Sequence, residues 1–416
     1  MSQRLSQPSE LSQRANEERR GLRLWPVGTV LTLAFVVALL VAAGVFYTAW
    51  DLLGARELKP EHRIDSKTLF DLVKLSFGVV AGAGALVALI VAYRRQRVDE
   101  DGALRDATRL HTERFTAAVS QLGDDSAAVR LGGVHALAGL ADDAPTRELR
   151  QTAIDVLCAY LRLPYVAEAD LPNGDAQARH AYQALREVRH TVIRLVRDHL
   201  RLAAGHPHSW QGHDFDFTGV VFDGGDFSEA VFSGGKVSFG GAAFCGGEVN
   251  FGSAVFSGGE VSFREAAFSD GEVSFLGAKF SGATVHLLKA RFSGCGVSFL
   301  GAKFSGGTVF FTGSVFSDGW INLFGAQFSG SEVVLTNAVF SGGRVDFSAA
   351  EFSAGDVDFQ SAVFQDGTVD FDNAAFLGGR VDFKNATGRA PDHLLPQDGE
   401  NVPAGVVLPP AWQTSS

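Results

Sequence analysis

Val249-Asn250-Phe251-Gly252-Ser253-Ala254-Val255-Phe256-Ser257-Gly258-Gly259-Glu260 is followed by Val261-Ser262-Phe263-Arg264-Glu265-Ala266-Ala267-Phe268-Ser269-Asp270-Gly271-Glu272. The second stretch repeats the first. Phenylalanine recurs at alternating steps of five and seven, and the beat runs from about Gly234 to Ala386. The unit is twelve residues, V-x-F-x-x-A-x-F-S-G-G-x. Self-similarity kept at one period over so long a stretch is the signature of a solenoid, in which each unit buries its apolar face only against its neighbours. Each unit holds two five-residue segments, V-x-F-x-x and A-x-F-S-G, and then a two-residue insertion. Phe217, Phe222, Phe227 and Phe232 precede the units at plain steps of five.

Outward from this stretch, 416 residues leave room for two or three domains. The net charge of -11 is not evenly spread. Acids and bases nearly cancel from Asp101 to Arg201. The excess lies in the last repeats, where Asp346, Asp356, Asp358, Asp366, Asp370, Asp372 and Asp382 stand against Arg344, Arg380 and Lys384. A phosphate-backbone binder needs clustered Lys and Arg, so direct nucleic-acid binding is not expected. Cys158, Cys245 and Cys295 are far apart and lack metal-ligand spacing, which fits a reduced compartment and a packing role.

Val27 to Ala49 is a run of 23 uncharged residues, and Leu75 to Tyr93 is a second of 19. Each is long enough for a bilayer core of about 30 Å at about 1.5 Å per residue. Trp25, Tyr47, Trp50 and Tyr93 stand at the run ends, where aromatic rings favour the interface. The expectation is a two-span hairpin over residues 25–93 after a cytoplasmic tail of residues 1–24. Arg14, Arg19, Arg20 and Arg23 before the first run, and Arg94, Arg95 and Arg97 after the second, put both termini in the cytoplasm of a cell-membrane protein. Ala34, Ala38 and Ala42 on one run and Gly78 and Gly82 on the other would let the helices approach closely. Neither run holds an ionisable residue, which favours anchoring over transport.

Residues 98–205 read as a small all-α module. Leu110, Phe115, Val119 and Leu122 fit a helical period, and Val129, Val134, Leu137 and Leu140 form the next stripe. Ile154, Leu157, Cys158 and Leu161 mark a third helix. Leu185, Val188, Val192, Leu195 and Val196 mark a fourth, from about Ala176 to Leu202. Arg186, Arg194, Arg197 and Arg201 gather on one side of that last helix, as a solvated face or a contact for anionic lipid. The module stands where it would cap the first end of the solenoid, whose strand edges need covering. The tail, residues 389–416, with Pro396, Pro403, Pro409 and Pro410, reads as disordered.

A bulky residue at the centre of each five, with a small one two positions earlier (Ala242, Ala254, Ala266, Ala278 in one series and Val237, Val249, Val261, Val273 in the other), resembles the pentapeptide-repeat family over about residues 214–388. The resemblance implies an all-β, right-handed quadrilateral β-helix for residues 210–388. The insertions depart from the family pattern. They imply a coil of five, seven, five and seven, about 24 residues, and about seven coils in a rod of roughly 30–35 Å at about 4.8 Å per coil. Phe244, Phe256, Phe268, Phe280, Phe304, Phe316, Phe340 and Phe352 are expected to point inward as the core. Glu113 to Gly123, Val129 to Leu137 and Glu187 to Val192 are similar to segments that precede the repeats in membrane-anchored bacterial, actinobacterial-type members.

No catalytic, cofactor-binding or metal-binding residue emerges, and no cofactor is expected. His206, His208 and His213 beside Trp210 lack a defined ligand geometry and read as a surface loop. The candidate interaction face is acidic: Asp346, Asp358, Asp370 and Asp382 recur every twelve residues in the V-x-F slot. With 24-residue coils, Asp346 stacks near Asp370 and Asp358 near Asp382. The expected function is a membrane-anchored, non-enzymatic scaffold offering an acidic solenoid to a cytoplasmic protein partner, with a homo-oligomer left open. The alternative implied by the resemblance is a DNA mimic that binds DNA gyrase or topoisomerase, as some members do. A long acidic ladder on one face would favour mimicry, and a mixed surface the scaffold.

Overall fold

The structure is a computed structural model that describes residues 65–395 except 173, residues 402–413, and scattered positions between Thr32 and Asp51. The chain divides into two compact units, Met1–Asp106 and Ala107–Ser416. Helix α1 (Ser66–Leu122) opens at Asp65, whose side chain accepts from the Ser66 amide at 2.8 Å. It is the one helix among the described residues that is long and apolar enough to cross a membrane. Leu75, Phe77, Val80 and Leu89 expose most of their apolar surface along it. The expected first span, Val27–Ala49, falls largely outside the described residues, and so do all three residues of its small-residue face, Ala34, Ala38 and Ala42. The second run and the first helix of the expected module are a single helix, because no proline or glycine cluster separates them.

Within the second unit, α2 (Ala127–Asp142), α3 (Arg147–Leu161) and α4 (Ala176–Arg201) follow. Thr146 caps α3 by accepting from the Leu149 amide, and Asp175 caps α4 by accepting from the Ala178 amide. Val134, Leu137, Ile154, Leu157, Cys158, Val188, Val192 and Val196 meet in a closed core. Gly133 lets α2 lie against the end of α1, since a Cβ there would stand 2.6 Å from the Leu122 nitrogen.

The repeats form a parallel β-solenoid of about eight coils, with two sheets wrapped around one core. Val231–Ser238, Val255–Ser262, Lys279–His286, Lys303–Phe310, Gln327–Val334 and Glu351–Asp358 belong to the first sheet. Ala243–Asn250, Ala267–Ser274, Arg291–Ser298 and Val315–Asn322 belong to the second. The register is 24 residues: Phe256 pairs with Phe280, and Phe244 with Phe268. The first turn is shorter at 22, pairing Phe215 with Val237, because the insertion between Phe222 and Phe227 is missing. The other insertions show as register shifts inside the strands, as between Ser233 and Lys236. There the second glycine is required: Gly259 has φ 74° and a Cβ would sit 2.4 Å from the Gly235 carbonyl oxygen.

The core is four columns of rings. Phe256, Phe280, Phe304 and Phe352 belong to one and Phe244, Phe268, Phe316 and Phe340 to another, so the eight expected core residues divide between the two sheets. Rings one coil apart are stacked, for example Phe280 on Phe304 at 4.8 Å between centroids. Each buried ring contributes about 1.5–3 kcal/mol before conformational entropy is charged against it. Where Leu323 and Leu335 replace Phe, a purely apolar void of about 20 Å³ remains between Phe311, Phe347 and their neighbours.

The tail differs from its expected disorder. Val406–Val407 adds to the first sheet beside Arg380–Asp382, and Pro410–Gln413 forms a short helix. Trp412 packs 5.7 Å from both Phe364 and Phe383 and donates its indole N–H to the Gly388 carbonyl. A tryptophan placed after a proline pair can cover the last open ring, which the composition of the tail conceals.

Candidate interaction surface

The V-x-F slot is built by the corner that follows it. Its side chain accepts a hydrogen bond from the amide two residues on, a turn that short polar side chains favour. Asp226 does so for Ser228, Asn250 for Gly252, and Asn322 for Phe324, at 2.8, 2.7 and 2.8 Å. Asp346, Asp358, Asp370 and Asp382 do the same for Ser348, Gln360, Asp372 and Lys384, at 2.7–3.0 Å. Each carboxylate therefore spends one oxygen on its own corner.

Asp346 stands in register with Asp370, and Asp358 with Asp382. The two pairs lie on different sheets, so the four residues form two short columns and not one face. Cations answer both. Arg344 reaches Asp346 at 3.3 Å and Asp370 at 3.8 Å. His393 lies 2.8 Å from Asp370, whose hydrogen bond and charge raise the imidazole pKa. Arg380 pairs with the buried Asp382, which also accepts from Gln360 at 3.2 Å. Asp358 accepts from Thr336 at 3.1 Å. Repulsion between like charges one strand apart is thus offset within each column.

Of the arginines gathered on one side of α4, Arg186, Arg197 and Arg201 lie on the first coil, whereas Arg194 is exposed and donates to Thr191 at 3.0 Å. Arg189 is buried and donates to the carbonyls of Leu161 at 2.6 Å and Val221 at 2.7 Å, with its guanidinium over the Tyr165 ring at 4.1 Å. Arg186 reaches the Asp223 carbonyl, and Arg201 the Ser228 carbonyl. Arg197 pairs with Asp226. From α3, Arg162 donates to the Asp216 carbonyl and carboxylate. The edge carbonyls of the first coil, free of any preceding strand, are met by arginine side chains.

Asp223 is the centre of this cap. It accepts from the Tyr165 and Tyr182 hydroxyls and faces Arg186 and His190, both at 3.4 Å. Burial alone would raise its carboxyl, but hydrogen bonds from His190, Tyr165 and Tyr182 overcome that and hold it well below the usual carboxylate range. Burial and the Asp223 bond push the Tyr182 hydroxyl up to about 12.

His206, His208 and His213 do not converge on one point, while His199 and His208 both face Asp142, at 3.1 and 3.8 Å. His206 and His208 meet edge to face, while His199 stacks on the buried Trp210 at 4.0 Å. Trp210 donates to Asp142 at 3.1 Å. His213 is buried apart from them, 2.9 Å from Gln151. Burial, then Arg147 and Arg150, bring its pKa down to about 4. No group of three or more potential metal ligands occurs among the described residues. Burial pushes the Cys158 and Cys295 thiols up to about 12, which makes them poor nucleophiles. The arrangement offers contact surface: corner-capped carboxylates, a sealed core and two closed ends.

Sequence reasoning missed the arginine cap and the corner bond of the slot. The second had a signal: Ser, Asn and Asp alternate in that slot, and these are the residues that cap turns. The place of the cap was expected from the module's position before the repeats, but nothing in the pattern singled out Arg189 or Arg162 as the side chains that make it.

A family model described as pentapeptide repeats (9 copies) matches residues 217–267. That match and the coil geometry support the pentapeptide-repeat family for the solenoid, a structural and interaction fold that is not typically enzymatic. No curated protein and no solved structure matches the chain.

Proposed function

We propose that this pentapeptide-repeat chain is a membrane-anchored, non-enzymatic scaffold that offers the acidic last coils of its solenoid to a cytoplasmic protein partner. The observation that carries the reading is the combination of a ring-filled core with closed ends, which leaves the outside of the rod as its working surface. The anchor is the two-span hairpin of residues 25–93 with both termini in the cytoplasm, in the manner of the actinobacterial-type members. The long apolar helix α1 and the flanking arginines support it. Division of the acidic pairs between two sheets, with Lys279, Lys289 and Arg291 in a middle coil, favours a mixed protein-contact surface over a DNA-like ladder.

The test exploits the slot chemistry. Asn holds the same slot at positions 250 and 322 with its corner bond intact. A chain carrying Asp346→Asn, Asp358→Asn, Asp370→Asn and Asp382→Asn should therefore lose charge while the corners stay capped. Affinity capture with detergent-solubilised wild type and with this variant should recover a partner from the first and much less of it from the second. Equal recovery from both would remove the acidic surface from the proposal.

A further inference from the structure

The outsides of the middle coils differ from the rest. On the second sheet, the residue after the buried core side chain (Phe275, Phe299 and Leu323) at the corner is Leu276, Leu300 and Phe324 in three successive coils. Hydrogen bonds from Ser253 to Leu276, Gly277 to Leu300 and Gly301 to Phe324 stack these corners one above the next. The three side chains are 49%, 36% and 48% exposed, and the nearby Trp320 is 40% exposed. Trp320 lies flat over Gly296, where a Cβ would meet the indole at 2.4 Å. This is a contiguous apolar strip along one edge of the rod, apart from the exposed Leu377 on the last coils.

Charges flank the strip in two columns of opposite order. On the upstream side, Glu248, Glu272, Gly296, Trp320 and Arg344 are in register, acid first and base last. On the downstream side, Val255, Lys279, Lys303, Gln327 and Glu351 are in register, base first and acid last. Consider a second copy laid antiparallel along the strip, with a two-fold axis midway between the levels of Leu300 and Phe324. Leu300 then meets Phe324. Three coil steps separate Glu272 from Arg344, and likewise Lys279 from Glu351, so the one axis brings both opposite-charge pairs together, each twice. It also sets Asp346 opposite Ser274 and Asp370 opposite Asn250, so these columns bring no like charges together.

We propose that this strip is a self-association surface, and that its occupant is a second copy of the chain docked antiparallel about that axis. An unrelated partner would have no reason to match both charged columns, whereas a two-fold copy must match itself, and here it does so in sign as well as in shape. A parallel copy would also bring opposite charges together, but it lays Asp372 on Asp372. Three coil steps cover only about 14 Å, short of the roughly 800 Å² per partner of a standard interface. The association is therefore concentration-dependent. Arg344 also answers Asp346 and Asp370 within its own chain, whereas Lys279 and Glu351 lie outside the acidic slots, so the Lys279–Glu351 pair tests the association separately from the scaffold reading.

A charge-exchange cycle on the full chain in detergent tests it, with mass measured by light scattering over a concentration series and corrected for bound detergent. Wild type should pass from monomer to dimer. Glu272→Arg or Arg344→Glu alone should raise the dissociation constant by about tenfold or more, and the double variant should return it to near wild type. Lys279→Glu and Glu351→Lys should behave the same way as a second cycle. A wild type that stays monomeric throughout, or single exchanges without effect, would overturn the surface. Double variants that fail to recover would overturn the antiparallel docking, since a parallel copy sets Glu272 against Lys279 and gains nothing from the exchange.

Discussion

The two ends of the rod are closed by different chemistry. At the first coil, side chains do the work: arginines from α3 and α4 donate to strand carbonyls, and Asp223 holds two tyrosines, an arginine and a histidine around it. At the last coil the backbone does it. Val381 and Phe383 donate to Gly405 and Val407, Phe371 donates to Asp392, and Trp412 lids the rings of Phe364 and Phe383. Both answer the same problem, an exposed sheet edge with an open ring column behind it. A side-chain cap must bury charge, so it depends on every member being paired. The strand-and-ring cap buries one paired carboxylate, Asp382 beneath Val407, and otherwise depends on apolar contact.

Arg189→Leu carries the largest expected effect. It removes the buried guanidinium and leaves the Leu161 and Val221 carbonyls without their donor, beside a carboxylate that loses a neighbouring positive charge. A loss of about 3–5 kcal/mol is expected, read as a lower midpoint in urea. Hydrogen exchange should rise first at residues 215–228 and only later at 402–413. Faster exchange at both ends together would mean that the caps are not separate devices. The matching change at the other end is Trp412→Ala, expected to cost about 2–4 kcal/mol because the site is at an end and can partly relax. Its signature is early exchange at residues 380–413 with the first coil unaffected. An unchanged midpoint would show that Val406–Val407 closes the rod without the indole.

The contrast also explains what was legible from sequence. The coil length follows from the spacing of Phe239, Phe244, Phe251 and Phe256, because a repeat writes one packing rule many times. The caps are each written once. Arg189 looks like any helical arginine until Val221 is placed beneath it, and Trp412 sits in a tail whose prolines read as disorder. The slot lay between these cases. Its recurrence made Asp346 and Asp370 visible, but their charge drew the reading outward, and the hydrogen bond to the amide two residues on is what fixes the residue type. Leu323 and Leu335 keep the beat of the repeat in the sequence, and only the packed rings show the void they leave.

The smallest effect separates the ends by sign. His213, in the first cap, has its pKa lowered to about 4 from an ordinary 6.5, by burial and then by Arg147 and Arg150. Protons therefore bind the unfolded state more readily, and the stability it carries is fully present above about pH 6.5 and is lost as pH falls toward about 4. After discount for partial screening, that is about 1–2 kcal/mol. His393, in the last cap, has its pKa raised by the Asp370 hydrogen bond and charge. Its contribution runs the other way, present below its ordinary 6.5 and lost as pH rises through its raised value. Lowering the pH from 7 to 5 should thus reduce protection, taken relative to the intrinsic exchange rate at each pH, at residues 213–217 while leaving it unchanged or higher at residues 390–394. His213→Asn should flatten the first response and leave the second intact. Equal acid sensitivity at both ends in that variant would mean that the pH response belongs to the rod and not to its caps.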